Sequence, residues 1–198
     1  MEGTMRYLLI VLALALAAPA TGVAAPEPED PKRRTSWGLY LTAREAYEMK
    51  TAEGDKVLFV DVREPMEMMF TGATDIVDVN VPFLLVNPAR WNPKKPRFAM
   101  EPNPAFAEGV LAALETRGLG KDAPVLLMCR SGGTRGAPSA RALEGLGLEQ
   151  VYVVVDGFEG ATSKDDPRGP WRHVNGWKNA GLPWGYDLDP SKVYTRPE

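Results

Sequence analysis

Four short apolar runs, each parted from the next by helical or turn-rich sequence, constrain this chain more than any other feature. Val57 to Asp61, Ile76 to Val81, Pro124 to Met128 and Val151 to Val155 are each five or six residues long. Apolar runs of that length, bounded by turn residues, predict short strands buried on both faces. Before the first of them, Thr42-Ala43-Arg44-Glu45 has the capping-box spacing and predicts a helix over Ala43–Lys50. Phe106, Val110, Leu111 and Leu114 recur at helical spacing within 106–117, and Gly118 and Gly120 end that helix. A further helix is predicted over Ser139–Glu144, closed by Gly145 and Gly147. Strands alternating with helices require right-handed crossovers, hence an α/β fold with a parallel sheet covered on both faces. Ligands of such sheets bind beyond the carboxyl ends of the strands. Asp61, Cys129 and Asp156 stand at or just past such ends.

The chain has 198 residues, enough for one domain with a sizeable core. Its 23 Lys and Arg against 26 Asp and Glu leave a formal charge of −3. That balance excludes a nucleic-acid reader that works through bulk positive charge. One cysteine and one histidine are the informative counts. A single cysteine forms no internal disulfide, and one histidine removes most Cys/His metal sites. No metal and no cofactor are expected, and the chemistry rests on few side chains.

Residues 1–25 read as a signal peptide. Tyr7 to Ala18 is almost purely apolar but short of the roughly 20 residues a membrane span needs. The small-x-small patterns Ala18-Pro19-Ala20 and Val23-Ala24-Ala25 follow, as a signal peptidase requires. Cleavage between Thr21 and Pro26 makes the protein exported and periplasmic. An uncleaved segment is the alternative, and would be its only link to a membrane. Segment 26–36, rich in Pro and charge, is expected to be a disordered leader before a single domain over 37–198. Segment 84–104 interrupts that domain with prolines and the cations Lys94, Lys95 and Arg97. It is either a lid or a solvated excursion. A tail carrying Trp171, Trp177 and Trp184 is expected to pack on the domain as a short helix and an extended arm.

The segment Cys129-Arg130-Ser131-Gly132-Gly133-Thr134-Arg135-Gly136 carries the chemistry. A strand delivers a thiol into a loop whose glycines let successive N–H groups curl into an anion-binding concavity. Arg130 and Arg135, turned inward, add charges that hold an oxyanion through two oxygens at once. Such surroundings favour thiolate over thiol, and thiolate is the nucleophile. A nucleophilic sulfur beside an anion cradle suits a sulfur, phosphorus or arsenic oxyanion. A buried, inert cysteine is the bland alternative, but two unpaired arginines in a tight turn speak against it. His173 is expected at the surface of the tail.

The chain resembles the rhodanese, or sulfurtransferase, family. The resemblance rests on Val60-Asp61-Val62-Arg63-Glu64-Pro65 with Glu67, on Cys129-Arg130-Ser131-Gly132, on Asp156-Gly157-Phe158-Glu159-Gly160, and on the ending Trp177 to Trp184. It implies a sheet of about five parallel strands and a Cys129 that takes sulfane sulfur from thiosulfate or a similar donor as a persulfide. Cyanide or a thiol then accepts the sulfur. It further implies that the N–H groups of Arg130 to Arg135 hold the persulfide's charge, that Arg135 holds the donor, and that Asp61 and Arg63 tie neighbouring loops.

Five residues, Arg130 to Thr134, separate Cys129 from Arg135, where typical single-domain members have four, and Gly136 replaces the usual hydroxyl residue. Five is the spacing of related phosphatases and arsenate reductases, which take a larger tetrahedral anion. Phosphatase chemistry needs a general acid, for which Glu64, Glu67 and Asp156 are candidates. A non-catalytic module that carries sulfur for an exported partner protein is the third possibility.

Overall fold

The computed structural model describes residues 24–163, 165–167 and 169–195. Up to residue 23, the expected signal peptide lies outside the described residues. The chain forms five parallel strands, β1 (Tyr40–Leu41), β2 (Leu58–Asp61), β3 (Val79–Asn80), β6 (Val125–Met128) and β7 (Val151–Val154), in the order β1-β7-β6-β2-β3. Helices α1 (Ala43–Glu53), α2 (Pro65–Thr71), α3 (Phe106–Thr116) and α4 (Gly136–Arg141) connect them. A separate antiparallel hairpin, β4 (Leu84–Asn92) with β5 (Arg97–Pro102), completes the strands among the described residues.

Alternation along the buried strands divides the core into two. Leu58, Val60, Val125, Leu127, Val151 and Val153 face one side, against Phe106, Val110 and Leu114 of α3 and Ala140 of α4. Val57, Phe59, Leu126, Met128 and Val154 face the other, against Ala43 and Ala46 of α1, Phe158 and Trp177. Both faces are thus dry, and the strand sequences are apolar throughout because neither phase meets water.

The capping box at the start of α1 is present: Thr42 Oγ1 accepts from Glu45 N at 3.2 Å, and Glu45 Oε2 accepts from Thr42 N at 2.6 Å. The helix runs three residues beyond Lys50. The last helix differs from expectation. It spans Gly136–Arg141 instead of Ser139–Glu144, because the chain turns into helix directly after the cysteine loop.

The leader is not disordered. Ala25 N donates to Tyr40 O at 3.1 Å, and Pro31–Arg33 form a 3-10 turn capped by Asp30, whose Oδ1 accepts from Lys32 N at 3.0 Å. Arg141 Nη1 of α4 donates to Lys32 O at 3.2 Å and Arg34 O at 2.7 Å, and Trp37 Nε1 to Leu148 O at 3.1 Å. Charge and proline suggested solvation, but Arg33 bonds to Gly132 O and Val155 O of the domain, while Arg34 and Asp30 bond within the leader itself.

Segment 84–104 is mostly the hairpin, with its register shifting between Asn87 and Trp91 around Pro88. It leaves the carboxyl end of β3, the end of the sheet that carries the cysteine loop. In the tail, Trp177 is fully buried against Phe59 and Tyr47, with ring centroids 5.7 and 5.8 Å away, whereas Trp171 is exposed. Among the described residues this tail has turns in place of the expected helix, with isolated β-bridges at Arg172 and Gly185.

Candidate active site

Cys129 continues the phase of Val125 and Leu127, so its side chain points to the α3 and α4 side and is only 2 % exposed. The loop behind it is anchored by its carbonyls. Cys129 O accepts from Phe158 N at 2.9 Å, and Arg130 O accepts from Glu159 N at 2.8 Å and Gly160 N at 3.2 Å. The amides are different. Among the described residues, no acceptor takes a hydrogen bond from the N–H groups of Arg130, Ser131, Gly132, Gly133, Thr134 or Arg135. Six consecutive donors without an internal partner make a place for an anion.

Two glycines make this packing possible. Gly132 has φ +63°, and a Cβ there would lie 1.7 Å from Val155 O. Gly157, at φ +65°, lies so close that its Cβ would be 2.6 Å from Gly132 N and 2.7 Å from Ser131 N. Gly136 stands where a hydroxyl residue is usual. A Cβ on it would meet Val153 Cγ1 at 2.8 Å and come within 4.0 Å of Cys129 Sγ. The tight seat of α4 on β7 therefore excludes a side chain beside the thiol.

The two loop arginines are not free. Arg135 is buried and paired with Glu67 of α2 through both terminal nitrogens, with Nη2 donating to Oε1 at 2.8 Å. Arg130 Nε pairs with Glu159. Each was expected to keep its whole charge for an oxyanion. Burial makes an unpaired cation expensive at Arg135, so Glu67 partly neutralises it, and Glu159 pairs with the half-exposed Arg130. Burial pushes the Glu67 carboxyl up, but the hydrogen bond and charge of Arg135 outweigh it and hold Glu67 below its usual range. Burial likewise pulls Arg135 down, and the opposing bond and charge of Glu67, helped by negative charge at Cys129 and Asp61, raise it above its ordinary value.

Asp61 and Arg63 form a closed structural tie. Arg63 is fully buried, with Nε 3.0 and 2.9 Å from the two Asp61 oxygens and Nη1 2.7 Å from Thr71 Oγ1 and 3.0 Å from Gly72 O. Its guanidinium carbon lies 3.9 Å over the Phe158 ring. Asp156 is spoken for as well. Oδ1 accepts from Ala43 N at 2.8 Å and Oδ2 from Gly176 N at 3.2 Å, while burial raises its pKa.

Beside the loop opens a pocket of about 440 Å3 lined by Arg130, Glu159, Pro170, Trp171, Arg172 and Lys178. Burial and the nearby Arg130 pull Arg172 below its ordinary value, against the negative charges of Glu159 and Cys129. Burial lowers Lys178 too, and its Nζ sits 3.9 Å over the Trp184 ring. Sequence reasoning had assigned no role to Arg172 or Lys178, nor to Glu159 as the partner of Arg130. Glu159 and Lys178 lie in stretches that carry the family resemblance, whereas the local signal of Arg172 was charge beside Trp171. His173 lies at the surface, 3.4 Å from Asp166. Among the described residues no group of His, Cys, Asp and Glu is arranged to hold a metal ion.

A parallel α/β sheet with a cysteine loop at the carboxyl end of a central strand defines the class of this protein. The family model for the Rhodanese-like domain matches residues 42–164, and the chain belongs to that family. The crystal structure of Rv0390 from M. tuberculosis is similar at 28% identity and TM-score 0.54, over 75% of this chain and 97% of that one. The solution structure of the 30 kDa polysulfide-sulfur transferase homodimer from Wolinella succinogenes is 20% identical at TM-score 0.41, over 73% and 76% of the two chains. A search of curated proteins returns no match.

Proposed function

We propose that the chain is a sulfurtransferase in which Cys129 carries sulfane sulfur as a persulfide, with thiosulfate or a similar anion as donor. The observation that carries this is the run of six unpartnered amides directly after Cys129, in a chain of the Rhodanese-like family. The Cys129 thiolate attacks the outer sulfur of thiosulfate. A new S–S bond forms as the donor's S–S bond breaks, its electron pair leaves with sulfite, and the anionic persulfide remains. Cyanide or a thiolate then attacks the outer sulfur, and the electron pair of that bond returns to Cys129. In each step sulfane sulfur passes from one nucleophile to another while the leaving group takes the electron pair of the broken bond, so no external oxidant or reductant enters.

The amides of Arg130 to Arg135, which have no protein acceptor among the described residues, are available to the charge that passes between donor and persulfide. Arg135 gives two of its five N–H groups to Glu67, which leaves three for the donor's oxyanion. The pocket of Arg130, Arg172 and Lys178 carries three cations against one carboxylate, Glu159, and favours an anionic substrate. The apolar run and small-residue sites before Pro26 support export, with the reaction in the periplasm and a thiol or an exported protein as acceptor.

Phosphate-ester hydrolysis fits less well, in spite of the five-residue spacing. Glu67 is held ionised by Arg135, Glu64 caps α2 by accepting from Met66 N at 2.7 Å, and Asp156 holds two amides. None is free to protonate a leaving oxygen. Incubation with thiosulfate followed by intact-mass measurement tests the proposal. A gain of one sulfur atom that is absent in Cys129→Ser is expected. Wild type that gains no sulfur from thiosulfate or polysulfide overturns it.

A further inference from the structure

Arg33 belongs to the leader and lies outside the 42–164 family match, yet its side chain reaches the back of the cysteine loop. A single nitrogen, Nη2, donates to Gly132 O at 3.0 Å and to Val155 O at 2.7 Å. These two carbonyls converge because Gly132 is pressed against Val155, at a distance that leaves no room for a Cβ. Converging carbonyl oxygens repel each other, and a cation between them removes the repulsion. The turn that presents Arg33 is itself held by α4, the helix that follows the loop, through Arg141. Leader, loop and helix thus form a closed circuit of contacts.

The peptide joining Gly132 to Gly133 is trans, as are all those described. In a trans peptide the C=O and N–H point in opposite directions. By holding Gly132 O toward the leader, Arg33 sends the Gly133 N–H to the opposite side of the loop, where it has no protein acceptor among the described residues. We infer that Arg33 is a positioning residue for the anion cradle: it sets the orientation of the Gly132–Gly133 peptide and touches no substrate. The leader is then part of the working site. This inference rests on the sulfurtransferase reading for its substrate, but not for its geometry.

The full chain is compared as wild type, Arg33→Met and Arg33→Lys in two measurements. One is the KM for thiosulfate in persulfide formation. The other is protection of Cys129 by sulfate against iodoacetamide, which reports oxyanion binding without sulfur transfer. Arg33→Met is expected to raise the KM and the half-protecting sulfate concentration about tenfold, less than the roughly 100-fold or more for loss of an oxyanion donor itself. Its alkylation rate without sulfate stays within about twofold, since the thiol keeps its seat. Arg33→Lys, which keeps the charge on a side chain one atom too short to bridge both carbonyls, is expected about threefold from wild type. Wild-type KM and sulfate protection in Arg33→Met overturn the inference. Should that variant fail to fold, Arg33→Lys decides: protection weakened about threefold supports the positioning role, and unchanged protection overturns it. Failure of the sulfurtransferase reading shows separately, as a wild type protected by sulfate that forms no persulfide.

Discussion

Two arginine–carboxylate pairs stand near the same end of the sheet, and they are built differently. Arg63 with Asp61 is sealed, its side-chain exposures being 0 % and 1 %, and its guanidinium also binds Thr71 and Gly72. Arg135 with Glu67 keeps 8 % and 20 %, and among the described residues Glu67 alone accepts from that guanidinium. In the first pair every guanidinium nitrogen is bonded to protein, and the pair joins β2 to α2. The second retains donors at the cysteine loop, where Arg135 Nε has no partner among the described residues. A buried ion pair is architecture when saturated, and becomes a binding group when donors are left over.

Removal of the thiol is the largest test of this contrast. Cys129→Ser is expected to lower thiocyanate formation by roughly 1000-fold or more, measured by steady-state turnover, with little change in stability. The same conservative exchange at the two arginines should then separate their roles. Arg135→Lys is expected to cut kcat/KM for thiosulfate about 100-fold, because a point charge cannot hold both Glu67 and an oxyanion. Arg63→Lys is expected instead to cost about 3 kcal/mol in denaturant unfolding, since several of its buried acceptors lose their donor. Equal effects of the two exchanges on activity and on stability would erase the distinction.

A subtler difference is acid sensitivity. Glu67 has a folded pKa below the 4.5 of an unperturbed glutamate. Its pairing stabilises the fold fully above about pH 4.5, and that share is lost as pH falls through the lower folded value. Unfolding midpoints followed from about pH 6 to about pH 3 are expected to fall less in Glu67→Gln than in wild type. The smallest effect belongs to the hairpin. Trp91 and Phe98 are 60% and 51% exposed and pack on each other, with centroids 5.7 Å apart. Alanine at either is expected to shift stability by no more than about 0.5 kcal/mol in denaturant unfolding.

Local pattern made much of this protein legible. The strands β2, β6 and β7 are apolar runs buried on both faces, α1 announces itself by Thr42 and Glu45, and α3 by its spacing. Strand β3 falls inside the predicted run Ile76–Val81 but keeps only Val79 and Asn80 as strand, and β1, with two residues, is too short to carry a period. Helix α2 had its signal in Glu64-Pro65 and Glu67, a capping box with proline in the first turn, but three methionines and a phenylalanine hid its short amphipathic face. Prolines at 88, 93 and 96 made the hairpin look like a loop, although Pro88 falls at a bulge, where a strand tolerates it.

The sequence by itself determined the cysteine loop, since thiol, glycines and arginines are consecutive and their chemistry is readable from spacing alone. Only the tertiary structure decided which charges meet them. Glu67, Glu159 and Arg33 lie 68, 29 and 99 residues from their partners in the loop. Burial dictates that a cation finds a carboxylate and a carbonyl finds a donor, but it does not say which one. That choice belongs to the path of the chain through β2, β7 and the leader, which brings distant segments to one end of the sheet.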